Sequence, residues 1–552
     1  MPAHTRISAK FLVAALTLPL LFLSPSHSQS NQSASPFHEE VLAELTPGAE
    51  AKQILVGDHH LAWIEKLGDK RSVRLDGQPL GSAYEDIKYL QFSRDESRLV
   101  FFGKRSRAWY FVDNGKEDSK AISSPTTVAF QPDGPSLAYG ECSERTCRLV
   151  IDGKESGAEY DDISYPRYSP DGKHLAFLAK RSKKWVGVLD GKELPGEVDE
   201  AASASWGFSR GSGRFFISGR VKSTFIHIVD GTPTPGFDII SRIAFTRDGS
   251  HYAYGGADAK GGFKKQKIFG TIIKDGQPVA TYEGKGMMGS WSGLGGSTEA
   301  MVGGIHELGT DFHGVSSPEF DPNGKLVYAA RRNKGDVAVF QGSDVGPGFD
   351  EILSPVIFTE SAEHFAYVAR QGQDFVEVRD NKPILTIPAG KRGATSVGWI
   401  AISPDAAHLA YETISGGRNY KAAVTMRAFR TAVIDGQSGP DYNALGLTDF
   451  NFDPDSHHYF YEVIGAEGDR DLVNVDGHES RLYDAVANTH YLPDGKTIAF
   501  VARDGPRFLR VTYTLSPSTS LPSVSTAALI NPSQSSHYDA FLSSVGFSLR
   551  PK

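Results

Sequence analysis

The hydrophobic positions come in brief runs, and no long amphipathic stretch occurs anywhere in the chain. Leu175-Ala-Phe-Leu-Ala179 and Phe365-Ala-Tyr-Val-Ala369 are typical, each set between residues that favour tight turns. Apolar runs of this length, bounded by Pro, Asp and Gly, fit buried strands. They are too short for a helix, and the recurrence every three to four residues that marks one is missing. The predicted elements are therefore short strands from end to end.

These strands recur in a fixed order. The first ends at a Ser-Pro-Asp-Gly-like turn, as Val128-Ala-Phe130 does before Gln131-Pro-Asp-Gly134, and the second is the apolar run. The third ends at Asp-Gly, as at Asp76-Gly77, Asp152-Gly153, Asp190-Gly191, Asp230-Gly231, Asp275-Gly276, Asp435-Gly436 and Asp476-Gly477. Asp-Gly between strands marks a two-residue hairpin, whose central residues both need positive φ. A fourth, outer strand is expected at an aromatic-acid step such as Tyr84-Glu-Asp-Ile87, Tyr160-Asp-Asp-Ile163 or Phe349-Asp-Glu-Ile352. Aligned on the third turn residue, the units centre on Asp58, Asp95, Asp133, Asp171, Gly211, Asp248, Asn323, Ser361, Asp405, Asp455 and Asp494. The interval from Asp248 to Asn323 is close to twice the others, which leaves room for a degenerate unit in residues 276–318.

A four-stranded unit of this size cannot bury both faces alone, and stacking copies radially makes a β-propeller. The Ser-Pro-Asp-Gly-x-x-[hydrophobic]-Ala-[aromatic] unit resembles the WD40-like (PD40) repeats of TolB-type propellers in exported bacterial proteins, over residues 45–512. The resemblance implies an all-β propeller and an envelope setting, and little about activity. The turn departs from the pattern at Ser209-Arg-Gly-Ser212 and Thr359-Glu-Ser-Ala362. Six units precede residue 285 and five follow residue 318, so the expected architecture is two six-bladed propellers of four-stranded antiparallel blades. They would occupy 45–285 and 319–512, joined by a Gly-rich connection or degenerate blade at 286–318. A single larger ring is the alternative. Residues 29–44 read as an N-terminal linker and 513–552 as a Ser/Thr/Pro-rich tail.

Composition narrows the class. The 58 glycines and 30 prolines exclude a helical bundle, and the 32 Phe and 21 Tyr exclude a disordered chain. Residues 1–28 read as a signal peptide: Arg6 and Lys10, an apolar run from Phe11 to Leu23, then Ser26-His-Ser28 before a cut at Gln29. The protein is then exported, periplasmic or secreted, with no transmembrane segment once the leader is removed. Loss of Arg6 and Lys10 takes the formal net charge from −8 to −10, which argues against nucleic acid as a partner. The two cysteines, Cys142 and Cys147, flank a Ser-Glu-Arg-Thr hairpin tip, and in an exported chain they are expected to form a disulfide.

Catalytic motifs resolve into repeat turns. Gly207-Phe-Ser-Arg-Gly211 matches a nucleophile elbow, but Ser209 falls in phase with Ser169 and Ser403 and lacks the strand-turn-helix context. No catalytic residue, metal site or cofactor is expected. The distinctive surface feature is a series of basic second-to-third-strand loops: Lys104, Arg105 and Arg107; Lys180, Arg181, Lys183 and Lys184; Arg220 and Lys222; Lys264, Lys265 and Lys267; Arg331, Arg332 and Lys334. They form one rim that either faces an anionic partner or pairs with neighbouring acids such as Asp161, Asp162, Asp350 and Glu351. The functional expectation is a non-enzymatic scaffold that binds a protein or anionic glycan through its loop-rich face. The alternative is a hydrolase or lyase with a carbohydrate or peptide substrate in the propeller channel, built from one side chain per blade.

Overall fold

The computed structural model describes residues 36–261, 267–284, 315–332, 335–388, 394–415, 428–516 and 547–548. Of the two compact units in the chain, the second, Phe37–Lys552, carries everything that follows. Its described strands form eleven sheets, each with a four-stranded antiparallel ladder, and in ten of them strand order follows chain order. Blades 1 to 10 cover residues 50–84, 86–122, 124–160, 162–198, 200–233, 239–283, 319–349, 351–387, 394–444 and 446–479. Blade 11 takes three strands from residues 485–514, and its fourth comes from the start of the unit: Phe37–Glu44 pairs antiparallel with Arg507–Thr514. This clasp lies in the stretch that reads as a linker in the sequence. A short C-terminal strand, Phe547–Ser548, pairs parallel with the first strand of blade 1, Glu50–Val56.

Each pair of successive blades shares its own apolar core. Tyr84, Phe101 and Val73 fill the space between blades 1 and 2, and Ala253, Ile272, Tyr328 and Val339 the space between blades 6 and 7. The series closes where Ile54 and Trp63 of blade 1 pack against Ala487 and Phe508 of blade 11. Eleven blades and eleven such cores make one closed ring. The expectation of two six-bladed propellers is therefore overturned. A ring that closed after six blades would turn blade 6 toward blade 1, but blade 7 holds that flank of blade 6 and blade 11 holds blade 1. The long interval between Asp248 and Asn323 leaves room in the sequence for a hidden unit. Residues 285–314 lie outside the described residues, yet the direct packing of blade 6 on blade 7 leaves no place for a blade between them.

The turn chemistry explains the repeat. In blade 4 the Ser169 hydroxyl donates to Asp171 at 2.6 Å, and the carboxylate accepts the Lys173 N–H. These bonds hold the Asp171 carboxyl below its ordinary range. At the third-to-fourth-strand hairpin, Asp190 and Gly191 both have positive φ, 49° and 76°. The Asp190 carboxylate accepts the Leu175 N–H at 2.9 Å and lies 2.7 Å from His174 Nδ1, tying both turns of the blade together. The same His–Asp pair occurs at His60–Asp76, His251–Asp275, His364–Asp380, His408–Asp435 and His458–Asp476.

Candidate binding face

The second-to-third-strand hairpins and the crossovers between blades meet on one face. The aromatic-acid step divides between two blades. Tyr160 ends the outer strand of blade 3, Lys154–Tyr160, and Asp162 opens the inner strand of blade 4, Asp162–Ile163. Asp161, between them, grips the hairpin tip of blade 4: its N–H donates to the Lys180 carbonyl, and its carboxylate accepts the Ser182 N–H at 2.9 Å. Glu85 does this for Ser106, Asp199 for Lys222, Asp350 for Gly372 and Asp484 for Gly505. The crossover acids thus brace tip backbones. Asp199 is held below its usual value by the Lys222 N–H and by Lys184.

The basic residues fall into three groups. Seven hold carboxylates: Arg105 with Glu117, Arg181 with Glu193 (2.7 Å), Lys184 with Asp199 (3.2 Å), Arg220 with Glu200, Lys267 with Glu283 (2.8 Å), Arg331 with Asp336 (3.0 Å) and Arg332 with Asp344. Lys104 and Lys180 lie over the rings of their cross-strand partners Trp109 and Trp185, at 5.7 and 5.4 Å. Such contacts leave the ammonium partly hydrated and its charge intact. Arg107, Lys183 and Lys222 sit on the tips themselves, exposed, and pair with no carboxylate among the described residues. Their backbones are left-handed, with φ of 72°, 71° and 55°. Lys264, Lys265 and Lys334 lie outside the described residues.

Blade 3, between these tips, carries the expected disulfide: Cys142 and Cys147 are directly paired across the hairpin and joined at 2.05 Å. They and Asp162 form a close cluster of potential metal ligands, with both sulfurs consumed in the bond. Ser209 occupies a repeat turn, its hydroxyl 2.5 Å from that of Ser212, with no base beside it among the described residues. The buried His227 is a core residue: Nδ1 meets the Ser218 hydroxyl at 2.7 Å and Nε2 the Ser241 carbonyl at 3.1 Å. Among the described residues, no helix is long and apolar enough to cross a membrane.

Comparison with known proteins adds little. No protein-family model and no curated protein matches the chain. Among solved structures it is similar to TolB from Acinetobacter baumannii, with 16% identity over 42% of this chain and 62% of that one, at a TM-score of 0.23. A eukaryotic initiation factor gives 11% identity, 70% and 96% coverage and a TM-score of 0.33. The Dos1 propeller gives 9%, 88% and 96%, and 0.28. The propeller assignment rests on the sheets and cores described above.

Proposed function

We propose that the chain is an exported, non-enzymatic β-propeller scaffold of the TolB-like, PD40-repeat type that holds an anionic protein or glycan against its loop-rich face. The observation that carries this reading is the set of cations at Arg107, Lys183 and Lys222, which pair with no carboxylate among the described residues and stand on tips whose backbones the crossover acids brace. These three cations project from a chain that is negative overall, and a rigid scaffold under projecting charges is suited to steering and recognition. The leader-like residues 1–28 and the disulfide support export, because such bonds persist in oxidising compartments.

Heparin serves as an anionic glycan probe. The parent should be retained on a heparin column at low salt, and R107A/K183A/K222A should elute with most of that retention lost and its melting temperature unchanged. Replacing the paired Arg181 and Arg220 instead should shift elution much less. Equal retention of the parent and the tip variant would overturn the assignment of this face.

A further inference from the structure

Cys142 and Cys147 stand directly opposite one another on neighbouring strands of blade 3, so both side chains leave the same face of the hairpin. Their bond ties two strands that the backbone ladder already joins, and it reaches no other blade. The crossover to blade 4 brings a third group to the same place. Tyr160, the last residue of the outer strand of blade 3, is paired with Cys147, and two residues later Asp162 opens the inner strand of blade 4. Asp162 Oδ1 lies 4.0 Å from Cys147 Sγ, and the two sulfurs and a carboxylate oxygen fall within 4.8 Å of one another. The Ile163 N–H donates to Asp162 Oδ1 at 2.9 Å and fixes the carboxylate. Its cross-strand neighbour Lys180 lies over the Trp185 ring and makes no ion pair with it among the described residues.

Two sulfurs and one carboxylate oxygen this close together suit a zinc-class ion. With metal–sulfur bonds of about 2.3 Å and a metal–oxygen bond of about 2.1 Å, a tetrahedral centre sets its sulfurs about 3.8 Å apart and sulfur from oxygen about 3.6 Å. A pair of thiolates selects such an ion over calcium or magnesium, which take oxygen ligands. Three protein ligands leave a fourth position for water or for a group from a partner.

We propose that the dithiol form of this hairpin binds one zinc-class divalent cation through Cys142, Cys147 and Asp162, and that the disulfide is the metal-free state of the same site. The two states interconvert by thiol–disulfide exchange. A dithiol reductant passes two electrons and two protons to the bond and becomes a disulfide itself, leaving two cysteine thiols. The cation then displaces both thiol protons and is held by two thiolates and the carboxylate. The tip residues Ser143, Glu144 and Arg145 are exposed, so a small dithiol has access to the bond beside them. The exchange alters what is cross-linked. A bridge inside blade 3 gives way to one across the seam between blades 3 and 4, whose shared core includes Cys147, Tyr160, Ile163 and Phe177. The site does not depend on the role proposed for the basic tips on either side of it.

Cobalt(II) titration of the full chain tests this, after reduction with a phosphine and removal of the phosphine by gel filtration under argon. One equivalent of cobalt per chain should bind with a sulfur-to-cobalt charge-transfer band that the oxidised chain lacks, and zinc should abolish the band by displacement. Zinc should also raise the melting temperature of the reduced parent. Asp162→Asn, whose amide oxygen can still accept the Ile163 N–H, should weaken cobalt binding about tenfold or more and lose most of the shift caused by zinc. A reduced, folded parent without the band would overturn the proposal, as would equal cobalt affinity in the parent and Asp162→Asn. A reduced chain that unfolds and is not restored by zinc would overturn it as well.

Discussion

Glu377 lies in the seam between blades 8 and 9 with 1% of its surface exposed, near Arg379, Tyr411 and Asp435. Burial, aided by the charge of Asp435, pushes its carboxyl up to about 7 from an ordinary 4.5. The folded chain then keeps a proton that the unfolded chain has released. The stabilisation is fully present below about pH 4.5 and is lost as pH rises through 7. Asp471, raised by burial to about 6, acts with the same sign. His227 acts with the opposite sign: burial holds it near 3, so its contribution is lost as pH falls below 6.5. Glu377→Gln should therefore match the parent near pH 5 and exceed it by up to about 3 kcal/mol at pH 8, a figure that follows from about 1.4 kcal/mol per pKa unit. Thermal melts across that range check this, and parallel curves for the two proteins would contradict it. Glu377 stands where the repeat places buried Val73, Leu149, Ala432 and Val473, so its burial is legible only once the units are aligned, and its charged neighbours only in the structure. The His–Asp pairs were legible in principle: a histidine stands three residues after the turn position in Asp171–His174, Asp248–His251, Ser361–His364, Asp405–His408 and Asp455–His458.

The elements follow from turn chemistry. Asp190 satisfies the Leu175 N–H and holds His174, so one side chain fastens both turns on that face of blade 4. Blade 2 shows what the backbone bond requires, since Asn114 replaces Asp there and still accepts the Leu99 N–H at 2.8 Å. Asp190→Ala should cost about 1–2 kcal/mol in denaturant unfolding, and Asp190→Asn less than half of that. Equal losses would place the effect in the His174 contact and outside the turn. The first three strands of each unit were visible as apolar runs between turn formers. The aromatic-acid step reads in the sequence as part of the outer strand, whereas the structure ends that strand at the aromatic and gives the acid to the crossover. Alternation alone cannot show this boundary, because the strand edge is set by contact between blades.

For the molecule as a whole, the repeat predicts blades but does not count rings. Every seam is built from the same residue types, so a chain of such units can close after any number that satisfies its wedge angle. Closure is fixed by which flanks meet last. Here the clasp of Phe37–Glu44 on Arg507–Thr514, with Phe37 set against Phe500 and Tyr513, joins the two ends of the array in one blade. Trp63 against Phe508, at 4.7 Å between ring centroids, seals that blade to the first. Electron cryomicroscopy of the isolated chain, viewed down the axis, tests this most directly. Eleven spokes around one channel are expected; two separate discs, or a ring with another number of spokes, would contradict the account.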